Sequence, residues 1–142
     1  MTRAEIIAET RRWIGTRYVK RGRTEYGLDC LGLLVMVGRH FEIPHTDEQH
    51  YSDWPRGDLL ILTRLSQYLR KLPPSTPLLA GMVGVFAERR LPGHAGIFSE
   101  LHGQTHLIHA RIHPGKVIEE CWGQVPNREF RLIGLFDFPG VE

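Results

Sequence analysis

A chain of 142 residues with 18 Lys+Arg against 16 Asp+Glu has a formal charge of +2 and the size of one domain, residues 1–142, that buries its own core. Its basic residues are scattered, apart from pairs such as Arg11-Arg12 and Arg89-Arg90, which argues against nucleic acid as a partner. Two cysteines, Cys30 and Cys121, far apart and without a Cys-rich framework, read as thiols, and the longest apolar run, Leu31 to Gly38, is far too short to span a bilayer.

The N-terminus runs straight into a helical pattern and has no apolar segment followed by small residues. With no signal peptide, the expectation is a protein made in the cytoplasm that does not leave the cell by the usual export route. Thr2-x-x-Glu5 is a capping box, and Ile6, Thr10, Trp13 and Ile14 recur on one face before Gly15, which predicts a first helix over about residues 2–14. Residues 16–27 are polar, glycine-punctuated and aperiodic, and read as a loop that contains Tyr18.

The loop leads to Leu28-Asp29-Cys30-Leu31-Gly32-Leu33-Leu34-Val35. Asp is a favoured N-cap and no proline follows, so Cys30 falls in the first turn of a second helix that ends near His40 or Phe41, ahead of Ile43-Pro44. A thiol in that position meets unpaired N–H groups and a positive dipole end, which favour the nucleophilic thiolate. A buried apolar packing role is the other reading of the same dipeptide. Leu59, Leu62, Leu65 and Leu69 predict a third helix within residues 57–72, stopped by Pro73-Pro74, and residues 42–79 carry no assignable chemistry beyond packing or a lid.

After Pro77 the period changes to short β-type runs at residues 82–87, 94–99, 105–110, 116–119 and 131–136, so helices followed by a meander of strands predict an α+β domain with an antiparallel sheet. If the turn between the second and third runs is centred between His102 and Gly103, His94 lies opposite Arg111 with His109 as its diagonal neighbour on the same face. Diagonal neighbours are about 7–8 Å apart, within reach of two imidazoles. A thiol nucleophile needs a general base and a group that orients the base, and His94 and His109 can supply both. His102 and His106 point to the opposite face, so a metal site built from His102, His106, His109 and His113 would violate the strand period.

Asp29-Cys30-Leu31-Gly32-Leu33, Gly81-Met82-Val83-Gly84-Val85-Phe86, His94-Ala95-Gly96-Ile97-Phe98 and Leu107-Ile108-His109-Ala110 resemble, in order and spacing, the NlpC/p60 family of papain-like cell-wall cysteine peptidases. Gly15-Thr16-Arg17-Tyr18 is similar to an upstream Gly-Thr-Pro-Tyr element of that family, and Tyr51-Ser52-Asp53-Trp54 resembles a segment of its phage-tail and gene-transfer-agent members. The resemblance implies a papain-like fold, with the nucleophile at a helix N-terminus packed on a central antiparallel sheet, and hydrolysis of amide bonds in peptidoglycan stem peptides without metal or organic cofactor. It implies Cys30 as nucleophile, His94 as general base, His109 as the orienting member and Tyr18 over the site, with the Cys30 N–H as oxyanion donor. Asp29, Leu31 and Lys20 fall in the region implied to meet substrate. Departures from the family pattern stand at Leu31 for Ser, Arg17 for Pro, Lys20-Arg21 for Trp-Gly and Met82 for Asp. Cys121 has no counterpart and reads as a structural thiol.

Without an export signal, delivery by a phage-like particle, with tail proteins as partners and action in the cell envelope, is the expectation. The alternatives are a tail-tip assembly module with little turnover, and an acyltransferase or deamidase on the same Cys-His frame, since a thioester can be resolved by water or by an amine.

Overall fold

A computed structural model describes residues 1–44, 60–88, 91–124 and 130–142. Helix α1 (Arg3–Arg11) starts on the expected capping box: the Glu5 N–H donates to Thr2 Oγ1 at 3.1 Å and the Thr2 N–H donates to Glu5 Oε2 at 2.7 Å. It ends at Arg11, earlier than the apolar period suggests, because the chain unwinds through turns to Gly15, whose N–H donates to the Val117 carbonyl at 2.9 Å. The segment expected as a plain loop holds a small hairpin of β1 (Arg23–Thr24) and β2 (Gly27–Leu28). That hairpin rests directly on the next helix, since a Cβ on Gly32 would collide with the carbonyl oxygen of Gly22.

Helix α2 (Cys30–His40) has the expected bounds and buries Leu31, Leu33, Leu34, Val35 and Val37. Helix α3 (Leu60–Ser66) is shorter than the leucine repeat predicts. Arg70–Leu72 forms strand β3 instead, paired with the free edge of the last strand, where Arg70 reaches the Asp137 carboxylate at 3.0 Å. An edge offering ladder hydrogen bonds and an ion pair outweighs helix period over three residues. The segment Tyr51-Ser52-Asp53-Trp54 and positions 57–59 of the expected helix lie outside the described residues.

Strands β4 (Val83–Glu88), β5 (Leu91–Leu101), β6 (Gln104–Arg111), β7 (Lys116–Cys121) and β8 (Phe130–Asp137) complete one antiparallel six-stranded sheet in the order β3-β8-β4-β5-β6-β7. Each run expected from β-type sequence is present, with β4 shifted by one residue and the other four extending past their expected bounds. The fold class is α+β, as expected.

The alternation of side chains along the strands divides the core in two. On one face Val85, Ala95, Ile97, Ile108, Ala110 and Phe136 pack with Ile6, Leu33, Leu34, Val37 and Leu65 of the helices. The other face is aromatic: Phe86, Phe98 and Phe130 cluster with Leu107 and Leu135 and are flanked by the half-buried Trp122. Each fully buried large side chain contributes about 1.5–3 kcal/mol, so the first of these layers holds the sheet against the helices. Asp137 is 2% exposed and pairs with Arg3 at 2.9 Å as well as with Arg70, tying α1 and β3 to β8. Among the described residues no helix is long and apolar enough to cross a membrane.

Candidate active site

The start of α2 is organised by Asp29. Its Oδ1 accepts from the Gly32 N–H at 2.8 Å and from the Arg23 guanidinium at 3.0 Å, while Oδ2 accepts from the Arg21 N–H at 2.8 Å. Arg21 adopts a φ of 60°, a left-handed conformation that turns its amide into this cluster. The Arg23 and Asp29 side chains are 6% and 4% exposed, so the pair is a buried one. Asp29, expected at the substrate, is therefore committed to capping and pairing, and its oxygens face inward. Leu31, also expected at the substrate, is 9% exposed and belongs to the core under the sheet.

Cys30 is half-buried. Burial pushes its thiol up to about 12, and the neighbouring Asp29 carboxylate adds to the rise. The backbone N–H groups of Ala95 and Leu31 and the Arg23 charge pull only part of the way back. Burial, and next the charge of the Asp29 cap, thus oppose the helix-start effect that favours a thiolate. The Ala95 N–H that favours the ionised form of Cys30 belongs to β5, at the peptide that follows His94.

His94 and His109 come together as the hairpin register predicts. β5 and β6 pair from Leu101↔Gln104 to Ile97↔Ile108, which is the register of a turn centred between His102 and Gly103. His94 Nε2 and His109 Nδ1 lie 2.7 Å apart, and the two residues are 7% and 0% exposed. Phe130 stands 4.8 Å from the His94 ring and 6.2 Å from the His109 ring, walling the pair on the aromatic face. His106 turns instead to the Gln104 carbonyl at 3.0 Å and takes no part. Among the described residues no group of three or more His, Cys, Asp or Glu side chains could hold a metal ion.

Gly96, opposite this pair, lets β5 and β6 close. A Cβ there would lie 2.9 Å from His109 Cβ and 3.0 Å from the Ile108 carbonyl oxygen. Gly96→Ala is expected to cost about 1–3 kcal/mol by overpacking and to displace His109 from His94. A lowered thermal midpoint together with changed histidine ring resonances checks this; an unchanged midpoint would show that the strands can part freely.

One member of the site was missed in the sequence. Glu120 on β7 accepts from His109 Nε2 at 2.9 Å and lies 3.4 Å from Arg111, whose guanidinium sits 5.2 Å over the Phe130 ring. His109 pairs with Ile118, so Glu120 is its diagonal neighbour on the same face. The expected strand stopped at Glu119, one residue short of it. Had the strand been extended, the parity that joined His94 to His109 would have brought Glu120 in as well.

Burial, the His109 neighbour and the Arg111 charge hold His94 well below the usual imidazole range. Burial also lowers His109, with Glu120 pulling the other way. The His109 hydrogen bond keeps Glu120 below the ordinary carboxylate range and so ionised at neutral pH. Both histidines bind protons less readily when folded than when unfolded, so their contribution to stability is complete above the unfolded value near 6.5 and declines as pH falls through it. Urea midpoints should drop between about pH 7 and pH 5. His94→Phe should flatten that drop; an identical drop in the variant would assign it to other groups.

The remaining expected site residues lie before α2. Tyr18 is half-buried, its N–H donates to the Gly115 carbonyl at 2.8 Å, and its backbone bridges to Leu28 at the foot of α2. Lys20 is exposed on the loop before β1. Cys121 is half-buried on β7, its sulfur 3.8 Å from Gln104 Oε1, at the far end of that strand from Lys116.

The sequence matches no protein-family model and no curated protein. Solved structures share its fold. NlpC1 from Trichomonas vaginalis superposes with a TM-score of 0.70 at 14% identity over 96% of this chain. The chain spans only 44% of that protein's length. The NlpC/p60 domain of the peptidoglycan hydrolase SagA gives 0.65 at 19% identity, over 97% of this chain and 100% of that one. An N-acetylmuramoyl-L-alanine amidase from Bacteroides uniformis gives 0.63 at 10% identity, over 94% and 98%. The fold is therefore that of NlpC/p60 domains, and at these identities the likeness speaks for the fold alone.

Proposed function

We propose that this chain is a cysteine hydrolase of the NlpC/p60 type that cuts amide bonds in peptidoglycan stem peptides through a thioester intermediate. The observation that carries the reading is a run of hydrogen-bonded groups, Glu120, His109 and His94, that ends on β5, the strand whose Ala95 N–H acts on the helix-start thiol of Cys30. The fold shared with a peptidoglycan hydrolase domain and with a muramoyl-alanine amidase supports the substrate class.

In this reading the Cys30 sulfur bonds the scissile carbonyl carbon while His94 Nδ1 takes the thiol proton. The oxyanion that forms is met by the Cys30 N–H at the start of α2, which lacks an intrahelical acceptor; such a donor is worth about 3–4 kcal/mol. The C–N bond then breaks, the His94 imidazolium gives its proton to the leaving amine, and the acyl group remains on sulfur. Water attacks the thioester with His94 again as base, and the proton returns to the departing thiolate. Tyr18 and Lys20 flank the entry to α2, and are assigned to substrate contact on their position alone.

A thiol pushed up to about 12 beside an imidazole pushed down makes proton transfer concerted with attack. Hydrolysis should therefore hold a plateau from about pH 7 to above pH 9, and iodoacetamide should alkylate Cys30 at pH 7 no faster than a free cysteine. Alkylation at pH 6–7 well above that rate would show a preformed thiolate and contradict this resting state.

Delivery by a phage-like particle, with tail proteins as partners and the cell envelope as the place of action, rests on the sequence of Tyr51-Ser52-Asp53-Trp54. The hydrolase reading itself is tested by digesting muropeptides of defined stem composition and looking by mass spectrometry for products that have gained one water across an amide.

A further inference from the structure

We propose that Glu120 is a positioning residue which, through His109, sets where the proton of His94 sits and so makes His94 Nδ1 the basic atom of the site. The proposal rests on the reading of Cys30 and His94 as nucleophile and base. A histidine pair joined by one hydrogen bond has two equivalent arrangements. Either His94 donates from Nε2 to His109 Nδ1, or His109 donates from Nδ1 to His94 Nε2. The first leaves a lone pair on His94 Nδ1; the second puts the proton there and removes the base.

Glu120 breaks that tie. An ionised carboxylate has no proton to give, so at 2.9 Å from Glu120 Oε2 the His109 Nε2 is the N–H. Neutral His109 then has its lone pair on Nδ1. At 2.7 Å from that lone pair, His94 Nε2 carries the proton, and Nδ1 is left free to accept one. His109 is 0% exposed, so no water can substitute for the carboxylate at its ring edge, and Arg111 at 3.4 Å holds Glu120 charged and in place. The same negative charge stabilises the imidazolium that forms when His94 takes the Cys30 proton.

The test is Glu120→Gln in the full chain, read in two ways. A glutamine can present either an oxygen or an N–H to His109, so the preference disappears while shape and packing stay. In the unaltered protein at pH 7.5, nitrogen NMR of labelled histidines should give neutral Nε2–H tautomers for both His94 and His109. In the variant an Nδ1–H population of His94 should appear, kcat should fall on the order of 100-fold with KM little changed, and the acid limb of the pH profile should move to lower pH. An Nδ1–H tautomer of His109 in the unaltered protein overturns the proposal without any variant. So does a folded variant with unchanged tautomers, kcat and acid limb. If the unaltered protein cleaves no stem peptide, the hydrolase reading fails, and the tautomers still decide the role of Glu120.

Discussion

Asp29→Ala is expected to destabilise the protein by about 3–5 kcal/mol, chiefly because it leaves the Arg23 guanidinium buried without its counter-charge. Loss of the N-cap adds about 1 kcal/mol. Asp29 is the acceptor for three donors from two segments, the Arg21 amide and Arg23 side chain before the helix and the Gly32 amide within it. Removing it should unlatch the β1–β2 hairpin from α2 as well as fray the helix. For a chain of this size such a loss lowers the thermal midpoint by about 10–20 °C. Asp29→Asn keeps a capping oxygen but not the charge, and should fall between the two. Thermal and urea unfolding of the three proteins check this; a loss under about 1 kcal/mol for alanine would mean that the pair behaves like an exposed one. Any folded alanine variant should also show a lowered Cys30 thiol pKa, because the carboxylate that raises it is gone.

His94→Ala should reduce hydrolysis on the order of 10⁴-fold, the scale of a positioned general base. The ring is 7% exposed and sits among Phe86, Phe130 and His109, so alanine also opens a cavity. His94→Phe separates the two effects: it refills the aromatic wall and supplies no base. Both variants should lose activity alike, while only alanine loses more than about 2 kcal/mol of stability. Phenylalanine retaining more than a tenth of the rate would remove His94 from the chemistry.

Much of this was legible in the sequence because it depends on short-range rules. The Thr2/Glu5 box, the Asp29 cap and the His102-Gly103 turn each specify a local geometry, and strand parity carries the last of these across to His94 and His109. What was not legible depends on partners far along the chain. β3 forms because β8 offers an edge, and α1 stops early because Gly15 joins Val117. The burial of Leu31, the upward push on the Cys30 thiol and the last link to Glu120 follow from packing depth and strand length, which periodicity measures poorly. Asp29 illustrates the difference well. Its dipeptide announces a cap, but nothing in it announces that Arg23 will fold back and bury the same carboxylate.

Cys30 is proposed to attack peptidoglycan stem peptides. The most direct measurement is a parallel digestion of defined muropeptides with the unaltered protein and with Cys30→Ala, both shown folded by their thermal transitions. The account predicts new peptide fragments, each cut at one amide, from the unaltered protein, and none from the variant. Fragments released equally by both proteins, or by neither, would contradict it.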